Sequence, residues 1–413
     1  MSKEATRPIN PQFLLLMSGQ FISNIGDALA GMALVWLVIQ LTNSPMTRGI
    51  SLALSVLPAL LLSPVSGTMV DRYRRRSILA SSDFIRFVID AVFALVVMLG
   101  SVQVWYIYLF TILRSAATIF YDPALTALIQ TLIPREQLVK ANGQQLLVRN
   151  VTIVIGPALA GLCLAKIGIG AVVLVDGLTF LVSAAVLLVM KVPEDRVLAV
   201  QRTSTREQLS AGWCYVKERN WIIVLTLSFV LLNAGSSIMS VVLPFFAKDV
   251  LHLDATGYGL LTSVSAAGAV AASLLLSVVK LSADRHRTLV VAVIGSALGM
   301  LLLSFSGQMV TALPFLFLRG FAGPFVGSTS NALYQAAVPR EYMGRVGVFR
   351  RMVSISMMPV AFFGTGLLTT VLGYQRCLLV AGCLMATTAA IIYFLVKLPS
   401  DKIVPIQQVV EGS

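Results

Sequence analysis

Residues 113–136, LRSAATIFYDPALTALIQTLIPRE, return at 318–341 as LRGFAGPFVGSTSNALYQAAVPRE, with ten of 24 positions identical at an offset of 205 in a chain of 413. The second copy begins half a chain after the first, and the identities include Arg114/Arg319, Gln130/Gln335 and a Pro-Arg-Glu run in each copy. Smaller echoes pair Asp71-Arg72-Tyr73-Arg74 with Asp284-Arg285-His286-Arg287 and Asn24-Ile25-Gly26 with Asn233-Ala234-Gly235. Matches spread over both halves indicate a duplication into two equal units rather than a short solenoid repeat. Whatever the first half folds into, the second folds into again.

The solvent for those halves follows from composition. Apolar residues make up 57% of the chain and charged residues 12%, whereas a soluble domain carries about 25% charged residues. Runs such as 171–190 and 221–246 match the ~20 residues that cross hydrocarbon. They are continuous rather than alternating, which indicates helices and not barrel strands. The reading is an all-α membrane protein with twelve transmembrane helices in two six-helix pseudo-symmetric bundles. Spans are placed near 13–40, 47–69, 78–100, 105–132, 143–166, 170–191, 221–246, 257–279, 289–306, 310–337, 346–370 and 376–397. Residues 1–191 form the N-terminal bundle, the polar stretch 192–220 a cytoplasmic interdomain loop, and 221–413 the C-terminal bundle with a short cytoplasmic tail.

Orientation comes from the basic residues. With the N-terminus inside, Arg48, Lys166, Lys248 and Arg376 lie outside, Arg114 and Arg319 lie deep within spans, and the other 25 of 31 lie on the inner side. Both termini are therefore expected in the cytoplasm of a cell with a bacterial-type inner membrane. The net charge of +13 then reflects topology and contact with anionic membrane lipids, with no nucleic acid as partner. The polar start leads into a full-length span, so no cleavable signal peptide is expected. Cys163, Cys214, Cys377 and Cys383 contain no CxxC and read as packing residues, and two histidines in separate loops make no metal site. No GxxxxGK[ST] loop occurs, so ATP is not the energy source. Thr256-Gly257-Tyr258-Gly259 lacks the valine and the second copy that a potassium filter would need; it reads as a glycine-rich helix start that permits close contact.

Between the second and third spans stands Gly67-Thr68-Met69-Val70-Asp71-Arg72-Tyr73-Arg74-Arg75-Arg76. It resembles the GxxxDRxGRR signature of the major facilitator superfamily, with Arg74 at the second glycine. Gly156-Pro157-Ala158-Leu159-Ala160-Gly161 is similar to that superfamily's antiporter motif GPxxGG, with Ala160 for one glycine, and Arg114 matches a third motif. NIGDALAGMALVWLV, Tyr121-Asp122-Pro123, PREQLVKANG and Asp176-Gly177-Leu178-Thr179-Phe180 resemble the macrolide-efflux and siderophore-exporter branch of drug:proton antiporters. The resemblance implies alternating access, no cofactor, and a proton gradient as the driving force.

A charge at the bilayer centre costs at least about 2.5 kcal/mol, so each intramembrane ionisable residue needs a reason. The acids within spans are Asp27, Asp83, Asp90, Asp122 and Asp176, all in the first half; Ser236 stands at the position matching Asp27. Asp27 is midway along the first span. It can carry a proton, hold a cationic substrate, or make a packing hydrogen bond. Arg114 can tune an acid, bind an anionic group, or form a structural ion pair. Asp90 and Asp176 join them as proton-coupling candidates, although the third and sixth spans resemble outer helices, where a structural role is the simpler reading. Asp122 is expected to latch the inner side by pairing with Arg72, Arg75 or Arg76, with Asp83 as the competing partner and Gly67 and Asp71 completing the switch. Gly156, Pro157 and Gly161 permit close helix contact and a bend. Asn24, Asn233 and Arg319 are candidates for the substrate cavity.

The expected function is export of amphipathic small molecules, drug-, macrolide- or siderophore-like, by proton antiport, the chain working as a monomer. A lysophospholipid flippase of the same fold and a non-transporting membrane receptor are the alternatives. No nucleophile-base pair suggests an enzyme.

Overall fold

A computed structural model describes residues 10–192, 213–279 and 284–396. The described residues contain helices and no strands. The helices are α1 (Pro11–Leu41), α2 (Pro45–Arg72), α3 (Arg75–Met98), α4 (Val104–Thr118), α5 (Tyr121–Leu132), α6 (Leu138–Val189), α7 (Asn220–Asp249), α8 (Ala255–Val278), α9 (Arg285–Ser304), α10 (Met309–Ala337), α11 (Arg340–Ser356), α12 (Met358–Leu372) and α13 (Tyr374–Leu395). Most of the expected interdomain loop, 193–212, lies outside the described residues.

Among the described residues, ten helices or joined helix pairs are long and apolar enough to cross a membrane. Two further spans are hidden in that number. α6 runs 52 residues but breaks at Gly168, where φ is 77° and ψ 171°, a left-handed backbone that glycine tolerates best. α3 is of spanning length but carries Arg75, Arg76, Asp83, Arg86 and Asp90. About twelve spans result. The break is duplicated as well: Gly373, 205 residues after Gly168, has φ 77° and ψ 174° between α12 and α13. The fourth span is itself interrupted between α4 and α5, because Pro123 offers no N–H to the carbonyl of Ile119.

By packing, the chain forms two compact units, Met1–Gln201 with Pro244–Ser263, and Arg202–Leu243 with Val264–Ser413. One division point falls at Pro244, inside α7. In the first unit α3 packs along α6, and in the second α9 packs along α13, the repeat-related pairing. Asn10 caps α1 by accepting from the Gln12 amide at 2.9 Å, and its Nδ2 donates to the Leu132 carbonyl at 3.1 Å, tying the start of α1 to the end of α5. That end of the first unit is an apolar cluster of Phe13, Leu16, Leu79, Leu128 and Leu187. The second unit has its own cluster around Ile222, Leu289, Val293, Tyr334 and Ile392.

Contacts also correct the register of the smaller sequence echo. Arg75 donates to Ala127 O and Arg76 to Met190 O, while Arg285 donates to Ala332 O and His286 Nε2 meets Ile392 O. Equivalent helix starts are thus Arg75 and Arg285, 210 residues apart, and the DRxR echo at 213 is three positions out of structural register.

Candidate functional site

The buried positions of α3 recur at Leu79, Asp83, Arg86, Asp90 and Phe93–Ala94, the alternating three- and four-residue step of one helix face. Three charges therefore enter the core of the first unit together. There they meet Arg114 of α4, Asp27 of α1 and Asp176 of α6.

Arg114 is the hub. Its Nη1 donates to Asp90 Oδ1 at 2.7 Å, and its Nη2 lies 2.7 Å from Asp27 Oδ1 and 2.5 Å from Asp176 Oδ2. Three carboxylates from three helices share one guanidinium. Arg86 is the second cation, 3.2 Å from Asp83 Oδ1 and 3.7 Å from Asp27 Oδ2. Its guanidinium carbon stands 4.7 Å from the Tyr121 ring centre and 4.0 Å from that of Phe180, and Phe180 also faces Arg114 at 5.3 Å. Such stacking holds a guanidinium in place where water is scarce. Asp83, Asp90 and Asp176 are fully buried, whereas the Asp27 side chain is 44% exposed. Gly26 makes room for the cluster: a Cβ there would overlap Asp176 Oδ1 and Thr179 Oγ1.

Asp27 opens onto a cavity of about 670 Å³ that Asn24, Arg86, Tyr121, Asp122, Asn142 and Arg149 help to line. The structure thus brings Asp27, Asp90, Arg114 and Asp176 together and sets Asn24 and Asp122 beside them. It departs from sequence expectation at two charged positions. Arg86, counted from its place in the chain with the inner helix end, is buried in the cluster; its spacing from Asp83 and Asp90 was the available signal. Asp83, expected beside the arginines of the α2–α3 loop, instead accepts from Ser183 Oγ at 2.7 Å and pairs with Arg86, because it points along the α3–α6 contact.

Other candidates fall elsewhere. Gly67, Asp71 and Arg72 lie in the last turns of α2, where the backbone alone is described. Arg75 reaches Thr131 Oγ1 and Ala127 O in α5, and Arg76 reaches Met190 O just past α6. Among the described residues no ion pair joins Asp122 to Arg75 or Arg76; Asp122 is exposed to the cavity. Pro157 lies inside α6, a Cβ on Gly156 would stand 2.6 Å from Ala28 Cβ, and one on Gly161 2.6 Å from Ala255 O. The antiporter-like segment therefore packs on the glycine-rich start of α8. In the second unit Asn233 accepts from Ser237 Oγ through its backbone carbonyl. Arg319 Nε is buried without a hydrogen-bond partner, and no carboxylate pairs with Arg319 among the described residues.

A family profile described as "Transmembrane secretion effector" matches residues 7–408. The chain belongs to this family of major facilitator superfamily transporters. Macrolide efflux protein A of Streptococcus pyogenes is 24% identical over 394 residues, covering 92% of this chain and 95% of the relative. The multidrug efflux pump Tap of Mycolicibacterium fortuitum is 23% identical over 396 residues, covering 93% and 96%. A bacterial homologue of the iron transporter ferroportin, solved in an inward-facing state, superposes with a TM-score of 0.74 at 18% identity, covering 92% of this chain and 98% of that one. The chain is thus a multi-pass membrane transporter, and that likeness extends across both halves.

Proposed function

We propose that this transporter exports amphipathic, macrolide-like small molecules from the cytoplasm in exchange for protons, by alternating access of its two halves, with both termini cytoplasmic. One observation carries the reading: within a cluster of four carboxylates and two guanidiniums, Asp27 alone among the carboxylates is open to a polar cavity large enough for a small molecule. Acids buried in a membrane domain are costly and concentrate on ion and substrate pathways. The likeness to a macrolide efflux protein and a multidrug efflux pump supports the choice of substrate class. Asp27→Asn is expected to lower pH-gradient-driven erythromycin export in membrane vesicles at least tenfold; export at the wild-type rate with an intact response to the gradient would overturn the reading.

The latch belongs to the same proposal. Asp122, on the cavity wall, pairs with Arg72, Arg75 or Arg76 in the state that closes the inner side, supplying a contact present in one state and absent in the other. Asp122→Asn is then expected to fold normally while shifting the labelling of single cysteines toward the inner side. Unchanged accessibility on both sides would remove the latch.

A further inference from the structure

The cluster is unequal in charge. Asp27, Asp83, Asp90 and Asp176 carry four negative charges when ionised, and Arg86 and Arg114 carry two positive ones, leaving an excess of two in the low-dielectric interior. Ionised groups without compensation there take up a proton instead. Which acid takes it follows from surroundings. Asp27 touches both guanidiniums and opens to the cavity. Asp83 has Arg86 and the Ser183 hydroxyl. Asp90 and Asp176 are fully buried and share the single guanidinium of Arg114 with Asp27, so two buried acids depend on one cation, whereas Asp83 is the one buried acid on Arg86.

On the basis of the antiport reading above, we propose a division of labour in which the Asp90–Asp176 pair holds the exchanged proton and Asp27, clamped between Arg86 and Arg114, is the acid that receives the cationic group of the substrate. The cluster that contains the pair also holds Asp27 from α1, Asp83 and Arg86 from α3, Arg114 from α4, Tyr121 from α5 and Thr179, Phe180 and Ser183 from α6. A protonated amine arriving at Asp27 adds one positive charge. Arg114 then gives its charge to Asp90 and Asp176, and the proton held by the pair becomes surplus and leaves through the cavity. One cation enters and one proton departs, so the charge of the cluster is unchanged. Arg86 is a positioning residue. Stacked between Tyr121 and Phe180 and tied to Asp83, it stays on Asp27 while Arg114 turns.

Proton release on binding tests the assignment. Purified transporter in weakly buffered detergent, with a pH indicator, is titrated with erythromycin, whose tertiary amine is charged at neutral pH. Wild type is expected to release about one proton per macrolide bound. In Asp90→Asn/Asp176→Asn that ratio falls to near zero while the macrolide still binds, and in Asp27→Asn, where Arg114 already serves the pair alone, affinity drops about tenfold and release is lost with it. Release kept in the double variant, or each macrolide bound by Asp27→Asn still displacing a proton, overturns the division of labour but leaves antiport standing. Binding to wild type without any release overturns antiport as well. Since the double variant changes two buried groups, infrared difference spectra of the wild type give an independent reading: a protonated carboxyl band that disappears on binding supports the pair, and its absence before binding refutes it. Arg86→Gln should move the pH profile of affinity; a purely structural Arg86 would lower the yield of folded protein and leave that profile in place.

Discussion

Arg114→Gln is expected to abolish recovery of folded transporter at neutral pH, seen as loss of the monodisperse peak in fluorescence-detected size-exclusion chromatography. The substitution leaves Asp27, Asp90 and Asp176 facing one another with no cation on their shared side. Breaking a buried ion pair by removing one partner costs about 3–5 kcal/mol, and here one arginine serves three partners. The sign of the pH dependence follows directly. Protonation neutralises the stranded carboxylates, so the variant gains stability as pH falls, and adding Asp90→Asn should restore part of the peak at neutral pH. The repeat supplies the control. Arg319 occupies the same position in the second copy without a carboxylate partner among the described residues, so Arg319→Gln removes a desolvated charge and no ion pair; its stability should stay within about 1 kcal/mol of wild type. Equal damage from both substitutions would show that Arg114 is held by packing rather than by its acids.

That contrast was partly legible in the chain itself. The duplication aligned Arg114 with Arg319, and the acids within spans fell in the first half alone. Structure completes the asymmetry: Asp27 matches Ser236, Asp90 matches Met300 and Asp176 matches Ala381, so each acid on Arg114 has lost its counterpart. The convergence of those acids was not legible. Helices apolar on every face give no periodicity from which to read the inward side, and Asp83 and Ser183, 100 residues apart, show no mutual signal before the fold joins them. Arg86 illustrates a different failure. Distance from a loop assigns it to the helix end, whereas the three- and four-residue spacing to Asp83 and Asp90 assigns it to the buried face, and burial follows the face. Gly168 and Gly373 were hidden among 30 glycines; only their backbone angles mark them as the turns that separate consecutive spans.

The symmetric part of the scaffold predicts the other large effect. Ser115 Oγ donates to the Ser55 carbonyl where α4 crosses α2. The position 205 residues later is Gly320, and there α10 approaches α8 so closely that a Cβ would overlap the Ser265 carbonyl oxygen. One crossing is closed by a hydrogen bond, its counterpart by the absence of a side chain. Small residues at such crossings let backbones approach where no hydrophobic force drives helices together in lipid. Gly320→Val places two methyl groups and a Cβ against backbone, which cannot change rotamer to escape. Overpacking typically costs 1–3 kcal/mol and more when the neighbour cannot yield, so a loss above about 3 kcal/mol is expected, read as a fall in the thermal midpoint of the detergent-solubilised protein. Ser115→Gly should be mild by comparison, about 1 kcal/mol for one hydrogen bond, because the helices there are already spaced for a side chain. A Gly320→Val protein as stable as wild type would mean that α8 and α10 do not meet at Ser265, and with that contact the close crossing in the second unit would be lost.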